Sequence, residues 1–277
     1  MEKKELTLLY FSPTNTTRTV LEAIAKGIGG NISTVIDITR PENRSKPITN
    51  LATGPVLMGA PVYGGRLPKD AADCFKRIRS NGNPVILTVL YGNREYEDAL
   101  LELKDIAVEC GFLPVAAAAF IGEHSFSSKK YPIAQNRPDS GDLETAFLFG
   151  KRIADLLENN EKLENIAPVQ TPGNFPYQDG MAIGAFPFID VTNDCDECGS
   201  CISACPKEAI DETDNYSTIN EKCIFCCACN KACPQEARVL KESPILETTK
   251  WLYKNCSKRK NPELFWRNKL LIQPLNT

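Results

Sequence analysis

Two matching cysteine runs carry the most specific chemistry in this chain. They read Cys195-x2-Cys198-x2-Cys201-x3-Cys205-Pro206 and Cys223-x2-Cys226-x2-Cys229-x3-Cys233-Pro234. Three thiolates two residues apart on one tight loop can each reach a different iron of one [4Fe-4S] cubane. The fourth, at the start of a helical turn before proline, points the other way and serves the neighbouring cubane. The spacing predicts one cluster on Cys195, Cys198, Cys201 and Cys233, and a second on Cys223, Cys226, Cys229 and Cys205. Structural zinc would ask for paired C-x2-C knuckles well separated in sequence, not three cysteines in a row. A disulfide framework needs an oxidising compartment, and nothing in the chain points to one. Cys227 lies off the ligand spacing and reads as a small packing residue. Cys74, Cys110 and Cys256 are single and read the same way.

The whole chain has 277 residues, enough for one ordinary domain and a small one, and a net charge of -3. Nucleic acid is therefore not an expected partner. The charge is uneven. Residues 189–242 hold five Lys/Arg against eleven Asp/Glu, and residues 243–277 hold seven against two. An acidic cluster-bearing region suits a basic redox protein partner. The first residues carry charges of both signs without the apolar stretch of a signal peptide, and no run is long enough to span a bilayer. Together with reduced thiols this predicts a cytoplasmic protein.

The elements that must position such a site follow from periodicity. Residues 6–11, 32–38, 56–61, 85–90 and 113–121 are short apolar runs of strand length. Between them, Val20, Ala23, Ile24, Gly27 and Ile28 repeat at helical spacing. So do Ala99, Leu103, Ile106 and Cys110, and later Leu143, Phe147, Gly150, Ala154 and Leu157. Five strands alternating with helices predict an α/β fold, a doubly wound parallel sheet with helices on both faces. Residues 39–55 are poor in apolar side chains, so the second crossover should have a weak helix or none. The expected division is an α/β domain over 1–160, a Pro/Gly-punctuated but aromatic connector over 161–188, a small α+β two-cluster domain over 189–242, and a tail over 243–277 with a helix near 245–255.

Three loops fall at the carboxyl ends of strands, where open parallel sheets bind ligands. Ser12-Pro-Thr-Asn-Thr-Thr-Arg18 opens a helix and is rich in hydroxyls, which suits a phosphate. Ala60-Pro-Val-Tyr-Gly-Gly-Arg66 and Tyr91-Gly-Asn-Arg-Glu-Tyr96 offer glycines for close backbone approach and tyrosines for stacking on a flat ring. With strand order 2-1-3-4-5 the loops converge on one crevice.

On these residues the chain resembles flavodoxins, and more closely the EFR1 family of flavodoxin–ferredoxin fusions. Ser12, Thr14, Asn15, Thr16 and Thr17 match the flavodoxin phosphate loop T-x-T-G-N-T, with Asn15 where glycine is usual; asparagine tolerates the positive φ that position needs. Pro61, Val62, Tyr63 and Gly64 match one loop that sandwiches an isoalloxazine ring, and Gly92, Asn93 and Tyr96 match the other. Tyr131-Pro-Ile-Ala, Arg137-Pro-Asp139, Asn255-Cys and Pro262-Glu-Leu-Phe265 also look like elements of that family. The resemblance implies a flavodoxin-like five-stranded domain that binds FMN without a covalent link, joined to a bacterial-type 2[4Fe-4S] ferredoxin domain.

Other candidates read as bland. His124, the only histidine, sits in a loop; Asp70 and Asp73 look like a solvated helix face; the basic run 254–260 looks like a helix end. No dinucleotide or P-loop motif is present, so a separate reductase should supply electrons. The expected function is electron transfer among two clusters, FMN and a redox partner, with no acid–base residue required. A flavoenzyme reducing a small acceptor such as a quinone is a second reading. A redox sensor with an empty docking domain is a third.

Overall fold

The computed structural model describes residues 4–48, 51–158, 168–180 and 186–266; residues 161–167 and 181–185 of the expected connector and 267–277 of the tail lie outside them. Strands β1 (Glu5–Tyr10), β2 (Asn31–Asp37), β3 (Val56–Pro61), β4 (Pro84–Tyr91) and β5 (Leu113–Ile121) pair in parallel in the order 2-1-3-4-5. Helices α1 (Thr16–Ile28), α2 (Pro41–Arg44), α3 (Lys69–Phe75), α4 (Ala99–Glu109) and α5 (Ser140–Glu158) alternate with them. The second crossover is a single turn, α2, as its lack of apolar residues predicts.

Successive strand residues point to opposite faces, so the continuous apolar runs feed two cores. On one face Leu9, Met58 and Leu87 pack with Phe75 and Leu103 of α3 and α4. On the other, Leu8, Leu57 and Ile86 pack with Ile24 and Phe149 of α1 and α5. Two glycines set how closely α1 and α5 approach. A Cβ at Gly27 would fall 2.0 Å from the Phe147 carbonyl oxygen, and one at Gly150 would fall 2.1 Å from that of Ile24. The two helices touch backbone to backbone there.

The sheet is wider than five strands. The tail, after helix α8 (Pro244–Asn255), runs back as β10 (Glu263–Trp266) and pairs antiparallel with β5. Its physical reason lies in β5, whose Ala116, Ala117, Ala118 and Ala119 cannot cover their own edge. Phe265 joins one core and Trp266 the other, where its ring meets Phe149 with centroids 4.7 Å apart. Phe265→Ala should destabilise the protein by about 3–5 kcal/mol in denaturant unfolding.

The connector packs rather than tethers. Asp98 accepts hydrogen bonds from the Asn174 and Gln178 amides, each at 2.7 Å. Arg66 lies over the Tyr177 ring at 4.6 Å while its guanidinium is paired bidentately with buried Glu102. Asp98→Ala leaves both amides without their acceptor, at about 1–3 kcal/mol. Chymotrypsin cleavage after Tyr177, between the two residues whose amides are released, should speed up accordingly.

The second unit is an internal repeat. Strand β6 (Ile189–Val191) pairs with β9 (Arg238–Leu240), and β7 (Ile210–Asp211) with β8 (Ser217–Thr218); short helices α6 (Ser200–Ala204) and α7 (Ala228–Lys231) lie between. Corresponding residues share their backbone twist: Glu197 and Phe225 have φ of 57° and 59°, Gly199 and Cys227 have 70° and 52°, and Glu208 and Glu236 have 49° and 53°. Left-handed residues between the cysteines coil each run into a tight loop. Cys227 is the buried packing residue its spacing suggests, and it also takes the role that glycine plays in the first run.

The two units interlock. Phe126 and Ile133, from the segment after β5, are buried in one cluster with Phe188, Phe225, Ile245 and Leu252. Arg40 donates to the Ser203 and Cys205 carbonyls at 2.6 and 2.9 Å, and Arg44 to that of Pro206 at 2.8 Å. Asp70 pairs with Lys207 at 2.8 Å, so it is a docking residue and not simply part of a solvated face; Asp73 pairs with Lys69 on the surface. Lys231 pairs with Glu123 and also donates to the Ser127 carbonyl.

Candidate functional site

The phosphate-type loop closes through Asn15, whose φ of 63° is left-handed and whose amide donates to the Ser12 carbonyl at 3.2 Å. Ser12 turns inward: its Oγ accepts from the Arg18 amide at 3.2 Å, and its own amide donates to Thr39 Oγ1 at 2.8 Å. The Thr16 and Thr17 amides find no acceptor in the loop, as expected at the start of α1. Thr14 and Thr16 place their hydroxyls 3.4 Å apart at the mouth of a crevice. Thr17 is buried beneath them, its Oγ1 without a partner. Free amides, a helix N-terminus and two facing hydroxyls fit an anionic phosphate.

The crevice walls come from the other loops. Pro61, Val62, Tyr63 and Gly64 form one side. Tyr63 and Arg66 exchange backbone hydrogen bonds of 2.9 and 3.3 Å across Gly64 and Gly65, both left-handed at 60° and 79°. Such a turn requires positive φ at both central positions, which explains the two glycines. Gly92 lines the opposite side, but its missing side chain makes room for a neighbour: a Cβ there would lie 2.3 Å from His124 Cδ2.

Asn93 and Tyr96 do not join the crevice. Asn93 turns its Nδ2 to the carbonyls of Cys256 and Lys258 in the tail, leaving a buried Oδ1 without a partner. Tyr96 is 4% exposed; it packs on Tyr91 at 5.3 Å and donates its hydroxyl to Glu263 of β10 at 2.8 Å. The returning tail claims both residues. In their place the crevice is lined by Tyr91, by Gly122, His124 and Phe126 after β5, and by Phe225. His124 is thus not a bystander in a loop. Its Nδ1 accepts from the Phe126 amide at 3.0 Å, so the proton sits on Nε2, and burial lowers its pKa to about 4, helped by Arg94 and Lys231. It is a neutral hydrogen-bond donor at pH 7.

Four of the cysteines gather in one place. Cys205, Cys223, Cys226 and Cys229 line one enclosed cavity. Burial pushes the Cys226 thiol well up, and the charges of Cys229, Cys223 and Cys205 push it further; Cys223 rises to about 11 for similar reasons. Four thiols crowded and buried in this way would ionise together only around a cationic centre. Among the described residues no three His, Cys, Asp or Glu converge on a single ion. A cubane does not require that, because each thiolate takes its own iron. Of the other four, Cys201 is buried, Cys195 and Cys233 are half-buried, and Cys198 is exposed. Gln235, two residues after Cys233, bridges to Asp196, two before Cys198, at 3.0 Å. Cys205 and Cys233 each accept an amide hydrogen bond, from Ala209 at 3.2 Å and Ala237 at 3.3 Å.

The second cysteine loop rests on the crevice. Phe225, one residue before Cys226, forms part of its lining. Tyr63 is pressed against the same loop: burial raises its phenol well above the ordinary value, and the charges of Cys226, Cys227 and Cys223 add to the rise. The sequence offers no local signal for this contact, which depends on docking of the two units.

Residues 189–211 match the family model of the 4Fe-4S binding domain. A search among curated proteins finds no match. Among solved structures the chain is similar to a flavodoxin from the domain Archaea, at 13% identity over 56% of this chain and 99% of that one, with a TM-score of 0.35. It is similar to oxidised flavodoxin 2 from Bacillus cereus, at 17% identity over 56% and 99%, with a TM-score of 0.39. It is also similar to rubredoxin oxygen:oxidoreductase from Desulfovibrio gigas, at 15% identity over 57% of this chain and 37% of that one, with a TM-score of 0.39. The chain joins a flavodoxin-like α/β domain to a 4Fe-4S binding domain. Among the described residues no helix is long and apolar enough to cross a membrane.

Proposed function

We propose that this protein carries electrons between two [4Fe-4S] clusters and a non-covalently bound FMN, and exchanges them with a redox protein partner. The observation that carries the reading is the seating of the Cys223–Cys226 loop on the crevice through Phe225 and Tyr63. When bound, clusters supply single-electron steps and FMN accepts one electron or two. Cys195, Cys198, Cys201 and Cys233 hold the outer cluster; Cys223, Cys226, Cys229 and Cys205 hold the inner one. Thr14, Thr16 and the amides of Thr16 and Thr17 hold the FMN phosphate, while Tyr63, Gly64 and Gly92 flank the ring. Asp194, Asp196 and Glu197 are exposed around exposed Cys198, a surface that attracts a basic partner and does so less as salt rises.

The chain is a flavodoxin–ferredoxin fusion of the EFR1 kind. Its α/β domain spans 1–160, its connector 161–188 and its cluster domain 189–242, and the tail from 243 returns to the first sheet. Its site of action is the cytoplasm. Anaerobic purification followed by iron assay and acid release of flavin tests the proposal. About eight irons and one FMN per chain are expected. Iron without flavin would favour the redox sensor; zinc or disulfides at the cysteines would end the proposal.

His124 favours a second reading, a flavoenzyme. A neutral Nε2 donor in the crevice can orient a small acceptor. Turnover of quinones with a reduced ferredoxin as donor, lost in His124→Phe, would establish it.

A further inference from the structure

Arg238 opens β9 and is only 5% exposed inside the cluster domain. It donates to the Tyr216 carbonyl and, at 2.6 Å, to Thr218 Oγ1. Among the described residues no carboxylate pairs with it, and its Nε is buried without a partner. Burying a guanidinium beside neutral oxygens alone is costly. The groups near it that would become anionic with iron bound are cysteines. Thr218 lines the cavity of Cys205, Cys223, Cys226 and Cys229, and Tyr216 donates its hydroxyl to the Glu197 carbonyl inside the first cysteine loop, so the two residues that hold the guanidinium reach both sets. The repeat itself does not require a cation here. The residue five positions after Cys205 is Ile210, and the residue five after Cys233 is Arg238. One half of the repeat is apolar where the other is charged, so the repeat supplies this cation once.

We propose that Arg238 is the counter-charge shared by the two cluster sites, its unpartnered Nε–H donating to a cluster sulfur, and that it raises both reduction potentials. The proposal rests on the two-cluster reading above. Reduction adds an electron to each cluster, and a fixed cation with a hydrogen bond to sulfur favours the state with more negative charge. Arg238 is a positioning and tuning residue; it carries no electron itself.

The test compares full-length holoprotein with Arg238→Met and Arg238→Lys, using iron content and EPR-monitored redox titration. Arg238→Met imitates the apolar half of the repeat and should keep about eight irons. Its clusters should be about tenfold harder to reduce, a shift of about 59 mV for a one-electron couple. Arg238→Lys keeps the charge and should recover most of that shift. Eight irons with unmoved potentials in Arg238→Met would overturn the proposal. If Arg238→Met fails to take up iron, Arg238→Lys decides: retained iron near the wild-type potentials supports the shared charge, and lost iron or a shift of the full size refutes it. A wild-type chain without eight irons defeats the two-cluster reading, and this proposal with it.

Discussion

Changing Cys226 to serine should leave about four irons per chain instead of about eight. It should also remove the inner cluster while sparing the outer one. The same loss of iron is expected from Cys198→Ser, yet the two variants should differ in everything downstream. Cys198 is exposed and lies outside the crevice lining, whereas Cys226 is buried one residue from Phe225 in the crevice wall. Cys226→Ser should therefore cut flavin reduction by the protein's own clusters, and Cys198→Ser should chiefly cut delivery from a partner. Stability should also separate them. Ligand binding and folding are coupled in small metal domains. The inner loop shares a core with Phe126 and Ile133 of the first unit, so its loss should loosen the crevice as well. Iron assay on anaerobically purified protein, followed by flavin reduction in a stopped-flow mixer, reads both effects. Full iron occupancy in Cys226→Ser would sink the ligand assignment.

The second large effect is expected from Thr16→Asp. This position is the first residue of α1, where a carboxylate is favourable to the helix by about 0.3–1 kcal/mol. The fold should therefore hold or tighten slightly. The same carboxylate lies at the mouth of the proposed phosphate cradle beside Thr14, where like charge and a lost hydroxyl act together against a phosphate. Flavin content should drop from about one per chain to near zero, at least a hundredfold loss of affinity if about 3 kcal/mol is forfeited. Iron content should not change. Thermal unfolding and acid-released flavin measured on one preparation decide the matter; a variant that keeps stoichiometric FMN would show that the loop holds no phosphate.

Some of this was legible in the residues because the physics is local. Ligand spacing is fixed by reach along a few residues, so both cysteine loops could be read directly, down to the off-pattern Cys227. Strands buried on both faces must be apolar throughout, and all five fall within a residue or so of where their runs suggest. Asn15 takes the left-handed backbone that its place in the loop demands.

What was hidden depends on pieces far apart in sequence. β10 is four residues with no usable periodicity, and its role exists only because β5 is poor in side-chain bulk. Its arrival draws Tyr96 and Asn93 away from the crevice, although an aromatic after Gly92 looks like a ring-stacking residue. Phe225 and His124 reach the crevice by tertiary docking, which no motif encodes. Asp70 looks solvated until Lys207 from the other unit meets it.

The return of β10 to the first sheet has a consequence for biosynthesis. A chain leaving the ribosome presents the α/β unit first, but that unit has an open edge along β5 until the final described strand emerges. The cysteine loops appear in between, while the partner surface of Phe126 and Ile133 is already in place to receive them. A cluster inserted during synthesis would enter in the interval before the polypeptide closes on itself. A gene fragment ending near residue 160 would yield a sheet missing its last seam.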